Sequence, residues 1–187
     1  MKYLIVGLGN IGAEYENTRH NIGFDITHHL CYQFDATFET ERLARIAKLK
    51  HKGRTFVIIQ PTTYMNLSGR AVKYWMDTEN IGIDKILVVT DDLALDIGIL
   101  RMRKKGSHGS HNGLENIIQF LGRNDFARLR FGIGDDFSKG RQADYVLSPW
   151  KSSEQPIIEE KIPIAAEMVL SFGTIGVDRT MNQFNNK

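Results

Sequence analysis

Residues 2–21 constrain the fold more than any other stretch of the chain. Tyr3, Leu4, Ile5 and Val6 form an apolar, β-prone run that feeds Gly7, Leu8, Gly9, Asn10, Ile11 and Gly12. The glycines match the dinucleotide-binding pattern G-x-G-x-x-G. In such a site, however, a helix opens at once so that its N-terminus meets the pyrophosphate. Here Ala13, Glu14, Tyr15, Glu16, Asn17, Thr18, Arg19, His20 and Asn21 follow, polar and aperiodic. The strand therefore ends in a tight glycine turn that carries an amide at Asn10 and leads to an imidazole at His20.

Beyond the turn, Ile22, Ile26, Leu30 and Phe34 recur every four residues and predict an amphipathic helix over 21–34. Two β-patterned runs, 45–51 and 55–59, flank Lys52, Gly53 and Arg54 and suit a hairpin. Leu67, Ala71, Val72, Trp75 and Met76 describe a second helix, entered through Tyr64, Met65 and Asn66. Residues 86–89 read as a strand that ends at Thr90, Asp91 and Asp92. Residues 99–103 and 129–133 read as further strands, 104–113 as a glycine-rich loop and 114–121 as a short helix. The last pattern, 152–172, is helical, with Ser152 or Ser153 as N-cap, Pro156 tolerated early and Pro163 expected to kink it.

Strands alternating with helices predict an α/β fold: a single domain over residues 1–187, built on a mixed, mostly parallel twisted sheet flanked by helices. Ligands of such sheets sit beyond the carboxyl ends of the strands. Asn10, Asn66 and Asp91 follow the first, third and fourth predicted strands. The N-terminal apolar run is too short for a signal peptide and no window suits a membrane span. The lone Cys31 sits at helical spacing among Ile26, Leu30 and Phe34 as a small hydrophobe. A soluble cytoplasmic protein without disulfides is expected. Net charge is +2, but residues 101–141 hold nine Lys/Arg against four acids. That excess suits either a polyanion-binding face or an ordinary solvated surface.

Two readings are open at His20. At a helix start the positive end of the dipole disfavours imidazolium and keeps the ring a usable base, with Asp91 to orient it; alternatively the ring only caps or packs. Asn10 and Asn66 can donate to an oxyanion or orient water, and Asn66 equally suits an N-cap. His108 and His111 lie in a Gly/Ser loop with no helix to align metal ligands, and no H-E-x-x-H occurs, so no metal is expected. His28 and His29 are adjacent on a helix and point apart. No G-x-S-x-G elbow is present, which leaves water as the candidate nucleophile.

Residues 4–12 with Thr18, Arg19, His20 and Asn21, the stretch P-T-T-Y-M-N-L-S-G over 61–69, Asp91, G-S-H-N-G-L over 109–114 and R-L-R-F-G-I-G over 128–134 occur in this order. In these motifs nearly the whole chain resembles the bacterial-type peptidyl-tRNA hydrolases. The resemblance implies cleavage of the ester between a peptide and the 3′-terminal ribose of tRNA, with no metal or organic cofactor. It implies His20 as catalytic base, Asp91 as its orienting carboxylate, Asn10 at the ester end of the substrate and Asn66 positioning water or the oxyanion. Asn112 would bind substrate, with Tyr15, Tyr64, Met65 and His111 at the site. Arg103 and Arg130 would grip the 5′-phosphate region of the acceptor stem, the protein acting as a monomer. Ile11 stands where that family usually has proline, Arg103 replaces a commoner lysine, and Ser107 and Ser110 replace frequent glycines. A non-catalytic RNA-binding factor of the same fold is the alternative. A nicotinamide-linked oxidoreductase is disfavoured, because the second β-run ends in Lys50, His51 and Lys52 with no acid to hold ribose hydroxyls.

Overall fold

A computed structural model describes residues 1–185. The strands are β1 (Lys2–Gly7), β2 (Glu39–Glu41), β3 (Ala44–His51), β4 (Arg54–Pro61), β5 (Ile86–Asp92), β6 (Leu100–Arg103) and β7 (Ala127–Gly132). They form one sheet in the order β2-β3-β4-β1-β5-β7-β6. The four central strands β4, β1, β5 and β7 run parallel. The β3–β4 hairpin, β2 and β6 add antiparallel edges. The mixed, mostly parallel sheet is thus as the alternation predicts.

The helices are α1 (Ile22–Gln33), α2 (Ser68–Glu79), α3 (Asn112–Leu121), α4 (Gln142–Val146), α5 (Gln155–Ile175) and α6 (Val177–Phe184). β1 explains why two layers of helix are needed. Ile5 joins the core beneath α1 and α5, whereas Leu4 and Val6 join the core beneath α2 and α3. A strand buried on both faces must be apolar throughout. The three-residue β2 and the short α4 leave too little periodicity to be read in advance. No helix is predicted over α6, which packs Val177, Met181 and Phe184 against the core. α5 begins one to two residues later than its serines suggest, with Glu154 as N-cap, and continues through Pro163.

The chain runs from β1 through α1 and the hairpin to β4 on one side, then crosses to β5 on the other. The carboxyl end of β1 is therefore a topological switch point, where such sheets open a crevice. The glycines of the first turn serve this packing. A Cβ on Gly7 would lie 2.5 Å from the Gly23 carbonyl oxygen, and one on Gly9 would lie 2.8 Å from the Phe24 ring. Gly23, in the first turn of α1, is reciprocally tight: its Cβ would lie 2.5 Å from the Leu8 nitrogen and 2.6 Å from the Leu8 and Val89 oxygens. These are backbone atoms that cannot swing away. Gly23→Ala is therefore expected to destabilise the fold by about 3 kcal/mol, because overpacking outweighs the ~1 kcal/mol that alanine gains in helix propensity. Urea unfolding measures this, and an unchanged midpoint would show that α1 can move away freely.

Candidate active site

Loops from the ends of β1, β4 and β5 and the start of α3 surround a cavity of about 420 Å³ lined by Asn10, His20, Met65, Asn66, Asp91, Asp92, His111 and Asn112 among others. His20 sits in a 3-10 turn, Arg19–Asn21, immediately before α1. Its Nδ1 is 2.7 Å from Asp91 Oδ2. The other carboxylate oxygen, Oδ1, is 2.8 Å from His111 Nε2. His111 is also the N-cap of α3, where its Nδ1 accepts from the backbone N–H groups of Gly113 and Leu114. A nitrogen that accepts carries no proton, so His111 holds its proton on Nε2 and donates it to Asp91. Asp91 thus accepts from two imidazoles.

Asp91 is 3% exposed. Burial opposes its ionisation, but the charge of the His20 ring and the hydrogen bonds from both imidazoles outweigh that effect and hold the carboxyl well below the usual carboxylate range. Burial likewise opposes charge on His20; the Asp91 carboxylate and its hydrogen bond prevail and raise the ring above 6.5. This reverses the expectation that the helix dipole alone would disfavour imidazolium. A buried carboxylate at hydrogen-bond distance is a larger effect than a helix terminus. With Nδ1 engaged, Nε2 is the nitrogen of His20 left to take a proton.

Asn10 is held from three directions. Its backbone N–H donates to Asn21 Oδ1 at 2.8 Å, and Asn21 Nδ2 donates to its carbonyl at 3.0 Å. Its side-chain oxygen accepts from the Met65 N–H at 2.7 Å. The amide orientation is therefore set, and Nδ2 is the group without a partner among the described residues. Asn66 is exposed and lines the cavity from a 3-10 turn, Met65–Leu67. α2 starts after Leu67 with no side-chain cap, so the Asn66 amide is not used in capping.

Tyr15 and Tyr64 pack edge to face, ring centroids 6.5 Å apart, and neither is among the cavity-lining residues. Arg103 and Arg130 also stand outside the cavity, on β6 and β7. His108 is separate from the cluster of His20, Asp91 and His111; its Nδ1 accepts from the Ser110 N–H. His20, Asp91 and His111 offer ligating atoms within 4.8 Å of one another. Both facing ring nitrogens lie at hydrogen-bond distance from separate carboxylate oxygens, so two N–H···O bonds account for that closeness.

Three contributors escape a reading of the sequence. Asn21 reads as a helix-start residue, but it clamps Asn10. Asp92 reads as a strand terminus, but it lines the cavity and pairs with Arg130. Arg19 is 2% exposed and anchors the turn that carries His20. It donates to Glu154 Oε1 at 2.8 Å, to the Pro149 carbonyl at 3.0 Å and to Ser148 Oγ, with its guanidinium 4.2 Å from the Tyr145 ring centroid. In the sequence, Arg19 and Asn21 stand only as members of the Thr18-Arg19-His20-Asn21 motif, with no role attached to either.

The chain matches the family model described as peptidyl-tRNA hydrolase over residues 4–187. Among similar curated proteins, peptidyl-tRNA hydrolase of Cytophaga hutchinsonii is 54% identical over 187 residues, and that of Parabacteroides distasonis 50%, each match covering 100% of both chains. The crystal structure of peptidyl-tRNA hydrolase from Acinetobacter baumannii superposes with a TM-score of 0.92 at 36% identity, covering 98% of this chain and 94% of that one. On fold, full-length sequence match and motif order together, the chain belongs to the peptidyl-tRNA hydrolase family.

Proposed function

We propose that the protein hydrolyses the ester between a peptide, or another N-blocked aminoacyl group, and the 3′-terminal ribose of tRNA, acting as a cytoplasmic monomer that returns tRNA from prematurely released peptidyl-tRNA to translation. The observation that carries the mechanism is the His20 Nδ1 to Asp91 Oδ2 contact of 2.7 Å at the wall of the cavity. His20 Nε2 takes a proton from water as the water oxygen adds to the ester carbonyl carbon. Asp91 stabilises the imidazolium that forms. Asn10 Nδ2 donates to the developing oxyanion, aided by Asn66, and Asn112 orients the substrate. Collapse breaks the bond to the ribose oxygen, which takes the proton back from His20. Met65 and His111 hold the walls, Tyr15 and Tyr64 contact the substrate at the rim, and Arg103 and Arg130 grip phosphates of the acceptor stem near the 5′ end. No helix among the described residues is long and apolar enough to cross a membrane.

A pH profile tests the pair. The base form of His20 is the active one, so kcat/KM for N-acetyl-aminoacyl-tRNA rises with pH through an acid limb centred above 6.5. Asp91→Asn removes the charge that raises His20 and leaves the burial that lowers it. The limb is then expected to move below 6.5 while the plateau falls roughly 10²- to 10⁴-fold. A limb that stays in place would exclude Asp91 as the partner of the titrating base.

A further inference from the structure

At the outer edge of the sheet, antiparallel register sets Arg101 opposite Arg130 and Arg103 opposite Arg128. Opposed residues, and residues two apart on a strand, share a face. These arginines therefore stand on one side of the β6–β7 edge, while Leu100, Met102, Leu129 and Phe131 enter the core on the other. Like charges so placed destabilise a sheet. Burial, then Arg101 and Arg130, lower Arg103 from its ordinary value. Burial and Arg130 bring Arg128 down to about 10. Arg128 donates from its terminal nitrogens to the carbonyls of Ser107 and Asn124, while its Nε is buried without a partner among the described residues. Arg101 and Arg103 have no carboxylate partner among the described residues.

The counter-charge inside this ladder is Asp92. Its Oδ2 accepts from Arg130 Nε, and its Oδ1 accepts from the Ala94 N–H at 2.7 Å. It follows Asp91 at the end of β5 and lines the catalytic cavity. Engagement through Nε leaves both terminal nitrogens of Arg130 without a protein partner among the described residues. Those are donors of the fork that fits two oxygens of a phosphate.

We infer that Asp92 is a positioning residue: it holds Arg130 by Nε so that the terminal nitrogens face a phosphate of the tRNA, and it ties that grip to the strand end that carries Asp91. The inference rests on the proposal that Arg103 and Arg130 grip the acceptor stem. It has a distinctive sign. By charge alone, an acid beside a polyanion-binding surface weakens binding, and neutralising it tightens binding; an anchor does the opposite.

The test compares Asp92→Asn with the unaltered protein on full-length N-acetyl-aminoacyl-tRNA and on the same acyl group carried by a short CCA oligonucleotide. Asparagine keeps the acceptor for the Ala94 N–H and removes the charge. The ratio of kcat/KM on full-length to short substrate is expected to fall about tenfold, mainly through KM, with the salt dependence of KM shallower by about one phosphate contact. Asp92→Glu is expected to restore part of the ratio. An unchanged or increased ratio, or equal losses on both substrates, overturns the anchor. Arg130→Ala in parallel separates the two ideas: if it lowers the ratio and Asp92→Asn does not, only the anchor fails. If Arg130→Ala also leaves the ratio unchanged, the phosphate grip fails with it.

Discussion

Replacing His20 by alanine is expected to lower kcat/KM on N-acetyl-aminoacyl-tRNA by roughly 10²- to 10⁴-fold, the range of a general base. The loss should lie in kcat. In the proposed mechanism the ring contacts the attacking water, whereas the arginines on β6 and β7 and the amides of Asn10, Asn66 and Asn112 would be left to hold the substrate. Affinity for deacylated tRNA, measured by filter binding, is therefore expected to stay close to that of the unaltered protein. Removal of the ring also takes one of two imidazole donors from the buried Asp91 carboxylate. Some loss of stability, about 1–3 kcal/mol, should accompany the lost activity. His111 keeps its own bond to Asp91, so the fold should survive. Turnover within tenfold of normal by a folded His20→Ala protein would exclude the mechanism.

The second large effect is on stability, at a distance from the reacting atoms. Glu154→Ala is expected to cost about 3–5 kcal/mol, since it leaves the Arg19 guanidinium buried without its carboxylate. Arg19 is 2% exposed and reaches Glu154 Oε1 at 2.8 Å. The same oxygen accepts from the Lys151 N–H at 2.7 Å, so truncation also strips the start of α5. For a chain of this size the change corresponds to a fall in Tm of roughly 10 °C. Glu154→Gln, which keeps an acceptor and loses the charge, should fall between the two. Arg19 precedes His20, and its N–H bonds to the Ser148 carbonyl at 3.1 Å, so activity should decline at temperatures where Glu154→Ala is still folded. An unaltered melting temperature would mean that Arg19 is adequately held by the carbonyls of Tyr145, Ser148 and Pro149 alone.

Much of the fold was legible because its signals are local. The four-residue spacing of Ile22, Ile26 and Leu30 marks α1, and the apolar runs mark β1 and β5. Lys52 and Gly53 sit at the tip of the β3–β4 hairpin with positive φ, as a tight turn requires. Short elements such as β2, with three residues, and α4, with five, end before the burial pattern completes two periods and carry no such mark. Within the site, Asn10, Asn66 and Asp91 were legible as polar groups after strands and His20 as an imidazole at a helix start, and all four line one cavity. Their partners were not. Asn21 and Asn10 stand eleven positions apart with nothing in composition to link them, and His111 in a glycine-rich loop gives no sign that it caps α3 and bonds Asp91.

By itself, the sequence determined an α/β sheet covered on both faces, a glycine turn not followed by a phosphate-binding helix, and the polar residues available at the strand ends. Those follow from periodicity and from steric rules that act over a few residues. The tertiary structure alone decided that one buried carboxylate serves two imidazoles, that Arg19 is sealed under Glu154, and that Arg130 is tethered to Asp92. These pairs are 71, 20, 135 and 38 residues apart in the chain. Packing of elements far apart in the chain, β5 beside β7 for Asp92 and Arg130 and the turn before α1 against the start of α5 for Arg19 and Glu154, brings such groups within hydrogen-bond range. At Asp91 the imidazoles so gathered outweigh the burial that opposes its charge.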